Sequence, residues 1–129
     1  LHYQVKSFSS IYLENAEGKF KIHKLPNVAQ ISSINQILVK DYDKDRHLDA
    51  LIAGNLFWSE VETTRNDAGY GMLLKGDGAG NFNPIVPSKS GFFVPGDVKD
   101  MATIDVENQE VIIAVKNNSP IQYIEMKDQ

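Results

Sequence analysis

Apolar and polar residues alternate along this chain in short runs, which is the periodicity of β-strands. Nine such runs are rich in β-branched and aromatic residues: IYLE, KFKIHKL, INQILVKDY, LDALIAG, GMLLKG, NFNPIV, MATIDV, EVIIAVK and IQYIEM. Clusters of turn-forming residues separate them, as in NAEGK, KGDGAGN, VPGD and KNNSP. The pattern predicts an all-β chain built as a sandwich, a barrel or a propeller.

Two segments of the chain resemble each other and define a repeat. LENAEGKF spans residues 13–20, and LKGDGAGNF spans residues 74–82, about 61 residues later. An apolar strand ending in aspartate follows each of them. Phe20 and Phe82 close the two turns, and we expect both in the core. Because each unit exposes an apolar face, it has to bury that face against a neighbouring unit.

Composition narrows the classes of partner. The chain of 129 residues fits one domain, residues 1–129. Its net charge is −4 and its 13 lysines and arginines are scattered, so we expect no nucleic-acid partner. It has no cysteine, which excludes disulfides and thiolate metal sites. Without an apolar run of about 20 residues, we expect no direct membrane insertion. The chain starts at Leu1, and we interpret it as processed or as a piece of a longer protein.

The segment DYDKDRHLD, residues 41–49, carries the most specific chemistry of the sequence. Its aspartates stand at positions 1, 3, 5 and 9 of a loop between two predicted strands, with a backbone carbonyl available at position 7. Ca²⁺ takes about six to eight hard oxygen ligands from such a flexible loop. The predicted ligands are Asp41, Asp43, Asp45, Asp49 and the carbonyl of His47. The alternative is a solvated acidic turn, but a turn needs only one or two aspartates.

Position 6 of this loop is unusual. Glycine is the common residue where the backbone takes positive φ, and this chain has Arg46 there. A left-handed backbone costs a residue with a side chain about 1 kcal/mol, so we expect a weaker or slightly distorted site. The matching segment of the second unit holds Asp105, Glu107 and Glu110, which do not keep the spacing. We expect no ion in that second loop.

DYDKDRHLDALIAGN resembles the calcium-loop repeat of the FG-GAP and VCBS families, and LENAEGKF and LKGDGAGNF resemble the hairpin of the same repeats. The wider run resembles repeats of bacterial surface proteins related to the ASPIC/UnbV group, over about residues 7–118. The resemblance implies four-stranded antiparallel β-propeller blades, a structural Ca²⁺, and an extracellular, periplasmic or cell-surface location. It also implies a non-enzymatic role in adhesion or in binding a protein or glycan, as in the propeller of integrin α chains.

The blade pattern of these families assigns the chain to about two blades. Residues 9–25 supply the outer strands of one blade, residues 34–86 a complete blade, and residues 99–126 a partial blade. Because a closed propeller takes about four to eight blades, the expected partners are further repeats of the same chain or other copies in a homo-oligomer.

The long connection at residues 55–71 is the second candidate site, since loops of this length are often functional. It concentrates aromatic, acidic and basic side chains: Phe57, Trp58, Glu60, Glu62, Arg65, Asp67 and Tyr70. These residue types suit a glycan or peptide, and the plain alternative is a structural loop. A further alternative is a carbohydrate-active enzyme, or its accessory module, with two of the carboxylates as acid and base.

Overall fold

Nine strands make up most of the regular structure in residues 1–125, the part of the chain that the computed structural model describes. They are β1 (Ile11–Ala16), β2 (Lys19–Lys24), β3 (Ile34–Lys40), β4 (Asp49–Gly54), β5 (Met72–Gly76), β6 (Phe82–Ile85), β7 (Val98–Val106), β8 (Gln109–Lys116) and β9 (Gln122–Glu125). The predicted all-β class is confirmed. A 3-10 helix (Asn27–Gln30) and α1 (Pro87–Ser90) complete the elements. Neither of them has the length or hydropathy to cross a membrane.

The strands form three separate antiparallel sheets, each made of consecutive strands. The orders are β1-β2, β3-β4-β5-β6 and β7-β8-β9. The second sheet has the four strands expected of the unit at residues 34–86. The third begins at Val98, one residue before the unit predicted at 99–126, and residue 126 lies outside the described part. Within residues 1–125, the three sheets do not close into a ring.

The second sheet is the centre of the molecule because its strand β4 is buried on both faces. Every residue of β4 is buried. Alternate side chains of a strand point to opposite faces, so Leu51 packs with the core shared by the third sheet and Ile52 packs on the opposite side. Phe92 and Val94, which precede β7, fill the space between the second and third sheets.

The first strands of the second and third sheets lie side by side. Asn35 in β3 donates from Nδ2 to the carbonyl of Val98 at 2.8 Å. At the other end of β3, Lys40 forms an ion pair with Glu110 of β8. These contacts fix the two sheets at both ends of β3.

The first sheet covers only part of its side of the central sheet. Tyr12 meets Phe82 edge to face with the ring centroids 5.8 Å apart, and Phe82 packs against the core as expected. The prediction that Phe20 is a core residue is wrong, since 67% of it is exposed. Phe20 lies opposite Asn15 on the face of β1-β2 that points away from Tyr12. No described residue range supplies a sheet on that side.

Candidate metal centre and interaction loop

The acidic loop joins β3 to β4, as the strand–loop–strand pattern predicted. Arg46 has a φ of 73°, so the expected left-handed backbone at position 6 is confirmed. Lys44 has a φ of 61° and makes a second left-handed turn that the sequence did not indicate. Two such residues bend the loop tightly enough to bring its two ends together.

Three of the four predicted aspartates converge. Asp41, Asp43 and Asp49 each offer a carboxylate oxygen, and these oxygens all lie within 4.8 Å of one another. Asp45 is not part of this group, and its carboxylate contacts Lys75. The carbonyl of His47 stays a predicted ligand. Hard carboxylate oxygens at this spacing fit a cation that prefers oxygen, such as Ca²⁺.

Asp49 is the structural anchor of the group, with 1% of it exposed. Its two carboxylate oxygens accept hydrogen bonds from the backbone N–H of Tyr42 at 3.0 Å and of Gly76 at 2.9 Å. Burial raises the pKa of Tyr42 to about 12, so its phenol is neutral beside Asp49. A Cβ on Gly76 would lie 2.1 Å from the carbonyl oxygen of Leu48. Only glycine therefore lets β5 approach the loop this closely.

Backbone amides orient the more exposed carboxylates. Asp41 accepts hydrogen bonds from the N–H of Asp45 at 3.1 Å and of Arg46 at 2.8 Å. Asp45 accepts from the N–H of His47 at 2.9 Å. The N–H groups of the loop thus point at the carboxylates, and these hydrogen bonds hold the acidic side chains in fixed orientations.

Lys75 of β5 reaches into the loop, a contact that no sequence pattern indicated. Its Nζ contacts a carboxylate oxygen of Asp43 and lies 3.1 Å from Oδ2 of Asp45. These hydrogen bonds raise the pKa of Lys75 above its ordinary value. The pKa of Asp45 is lowered, first by the N–H of His47 and then by Lys75. The contact of Lys75 with the acidic loop follows from the pairing of β5 with β4, so it requires knowledge of the sheet.

The second unit has a different turn at the matching place. Glu107 and Asn108 have φ values of 52° and 66°, and they join β7 to β8 in a two-residue hairpin. Asp105 and Glu110 are direct cross-strand partners in that hairpin. The loop of residues 41–48 curves around a central point, whereas a tight two-residue turn is too short to do so.

The long loop is held at its base by Asn55, a buried residue with a φ of 100°. Its Nδ2 donates to the carbonyls of Gly69 and Gly96, each at 2.8 Å. Its Oδ1 accepts from the N–H of Gly69 at 2.9 Å and from the hydroxyl of Ser32. The Asn55 amide therefore ties the loop to segments before β3 and before β7. No sequence pattern indicated this role.

Loop residues next to the Leu56–Asn66 bridge and the turn after β8 form a groove of about 370 Å³. Its lining residues are Phe57, Trp58, Arg65, Asn117, Asn118 and Ser119. Trp58 is 75% exposed. The guanidinium carbon of Arg65 lies 4.2 Å from the centroid of the Phe57 ring, and its Nε donates to Asp67 at 2.9 Å. The groove thus combines flat aromatic surface with amide, hydroxyl and cationic groups.

The remaining predicted loop residues lie outside this groove. Tyr70 stacks on Phe93, with ring centroids 5.9 Å apart and an interplanar angle of 7°. Its carbonyl accepts from the N–H of Val94 at 2.8 Å, so Tyr70 has a structural role. Glu60 and Glu62 are exposed in the turn closed by the hydrogen bond from the N–H of Thr63 to the Glu60 carbonyl.

Comparisons with protein-family models, with curated proteins and with solved structures find no match for this chain.

Proposed function

We propose that this chain is a non-enzymatic, calcium-binding repeat segment of a β-propeller in a secreted or cell-surface protein, and that it takes part in protein or glycan interaction. The observation that carries the proposal is the convergence of Asp41, Asp43 and Asp49 at the loop between β3 and β4. The ion has a structural role, because its ligands come from both ends of one loop and Asp49 also bonds β5.

The donor set suits Ca²⁺ better than a transition metal. All three side chains are carboxylates, and such hard ligands select Ca²⁺, Mg²⁺ or Mn²⁺. A strand-to-strand loop with irregular geometry favours Ca²⁺, since Mg²⁺ demands near-ideal octahedral geometry. When bound, the ion neutralises the repulsion among the carboxylates.

Ca²⁺ is expected to raise the thermal midpoint of the protein. With a Kd of about 10⁻⁴ M, 1 mM CaCl₂ stabilises the folded state by about 1.4 kcal/mol, which is a rise of about 5 °C for a chain of this size. Differential scanning fluorimetry in CaCl₂ and in EDTA measures it. Asp43→Asn removes a ligand and should abolish most of the rise, whereas the matched change Asp105→Asn should keep it. An unchanged midpoint with no ion found by elemental analysis contradicts the proposal.

The uncovered apolar side chains support the propeller arrangement. Ile37 and Val39 of β3 are 49% and 61% exposed, although they share a face with the buried Ile52 and Ala50. In a propeller, the inner strands of a preceding blade cover this position. Apolar residues also line the outer faces of the first and third sheets: Leu13, Phe20, Ile22, Ile104, Val115 and Tyr123. Further repeats of the same chain or a second copy would bury both faces.

The groove beside Trp58 is the proposed interaction site, and we favour a glycan as its ligand. A flat exposed indole offers its face to the C–H groups of a sugar, while the side chains of Asn117 and Ser119 suit sugar hydroxyls. The groove draws on two sheets, so the packing between the sheets sets its shape. The carbohydrate-active enzyme stays an alternative interpretation of residues 55–71.

Trp58→Ala is expected to weaken glycan binding at least tenfold, because it removes the largest flat surface of the groove. A glycan array selects the best-bound sugar, and titration calorimetry with that sugar compares the variants. Val61→Ala is the matched control, since Val61 is an exposed apolar residue of the same loop outside the groove. Equal affinity of the Trp58→Ala variant and the unaltered protein contradicts this site.

A further inference from the structure

We propose that the ammonium group of Lys75 is the resident cation of the acidic loop, and that a divalent cation displaces it in order to use Asp43. The inference rests on the proposed calcium function and adds a competitor built into the fold. It concerns a residue of β5, outside the loop whose spacing predicts the ion.

The geometry places Lys75 in competition for one carboxylate. Asp43 belongs to the group of three converging carboxylates, and it is also the contact of Lys75 Nζ. Lys75 holds a second carboxylate, that of Asp45, at 3.1 Å. Asp45, although predicted as a ligand, is outside the converging group.

Lys75 has two opposite effects on the loop. Without a divalent ion, its positive charge offsets the repulsion among the aspartates and stabilises the fold. When a divalent ion enters the loop, the positive charge of Lys75 repels the ion. The ammonium group also occupies the Asp43 carboxylate that the ion would use. Two like charges a few ångströms apart at an exposed site correspond to about a tenfold change in affinity.

Removing the charge should therefore move stability and affinity in opposite directions. The Lys75→Met variant is expected to bind Ca²⁺ about tenfold more tightly than the unaltered protein and to melt at a lower temperature in EDTA. A residue that only supports the fold would lower both quantities. Titration calorimetry with CaCl₂ gives the affinity, and fluorimetry in EDTA gives the midpoint.

Two further variants make the test specific. Lys75→Gln also removes the charge but keeps a polar group, so it should show the same gain in affinity even where Lys75→Met folds poorly. Lys40→Met removes the same charge one residue before Asp41, but Lys40 is paired with Glu110. Its calcium affinity should stay within about twofold, because its contacts lie outside the loop.

The outcomes separate this inference from the proposed function. If the unaltered protein binds Ca²⁺ and both Lys75 variants bind it equally or more weakly, Lys75 is not a competitor and the calcium function stands. If Ca²⁺ binds neither the unaltered protein nor the variants, both proposals are overturned. Tight binding in the Lys75 variants alone supports the competitor and explains a weak native site.

Discussion

Replacing Asp49 with alanine is expected to lower the free energy of unfolding by about 3 kcal/mol. The buried carboxylate accepts hydrogen bonds from the N–H groups of Tyr42 and Gly76. In the Asp49→Ala variant, both N–H groups lose their charged acceptor, and water has little access to this buried site to replace it. The change also unties the acidic loop from β5. Equilibrium urea denaturation in EDTA measures the loss without any contribution from an ion.

Asp41→Ala is the matched control for this prediction. Asp41 also accepts two backbone N–H groups, from Asp45 and Arg46, but these bonds are exposed. Water can replace them, so the expected loss is below about 1 kcal/mol. Asp49→Asn keeps one acceptor oxygen and should fall between the two alanine variants. Equal losses for the Asp49→Ala and Asp41→Ala variants would show that burial of Asp49 does not matter.

Asn55→Ala is expected to lower the free energy of unfolding by about 4 kcal/mol. The substitution removes four hydrogen bonds that the Asn55 side chain makes with Ser32, Gly69 and Gly96, and these part-buried groups lose their partner. It also places alanine at a φ of 100°, which asparagine tolerates better. Urea denaturation measures the loss, and hydrogen exchange should show faster exchange of the Gly69 amide.

Two variants separate the two causes. Asn55→Gly removes the bonds but adopts the positive φ freely, so it should recover about 1 kcal/mol of the loss. Asn66→Ala changes an exposed asparagine of the same loop and should cost less than about 1 kcal/mol. If the Asn55→Ala and Asn66→Ala substitutions lower the free energy of unfolding equally, Asn55 does not hold the loop.

The sequence predicted the position of the acidic loop and the convergence of three of its aspartates, because these residues are close together in the chain. The spacing of Asp41, Asp43 and Asp49 is local, and so is the left-handed turn expected at Arg46. Asp45 follows the same spacing but is outside the converging group, and it contacts Lys75, which is distant in the sequence. A regular spacing indicates which side chains can reach a common point, and only the tertiary structure shows which of them do.

The all-β class, the nine strands and the position of the acidic loop follow from the sequence by itself, because alternation and turn residues act over a few positions. Only the tertiary structure decided that Lys75 enters the loop, that Asn55 holds residues 55–71, and that Phe20 is exposed while Phe82 is packed. Phe20 and Phe82 end similar hairpins, so their local sequence does not distinguish them. Their burial differs because the described chain places a sheet beside Phe82 and none on the face that carries Phe20.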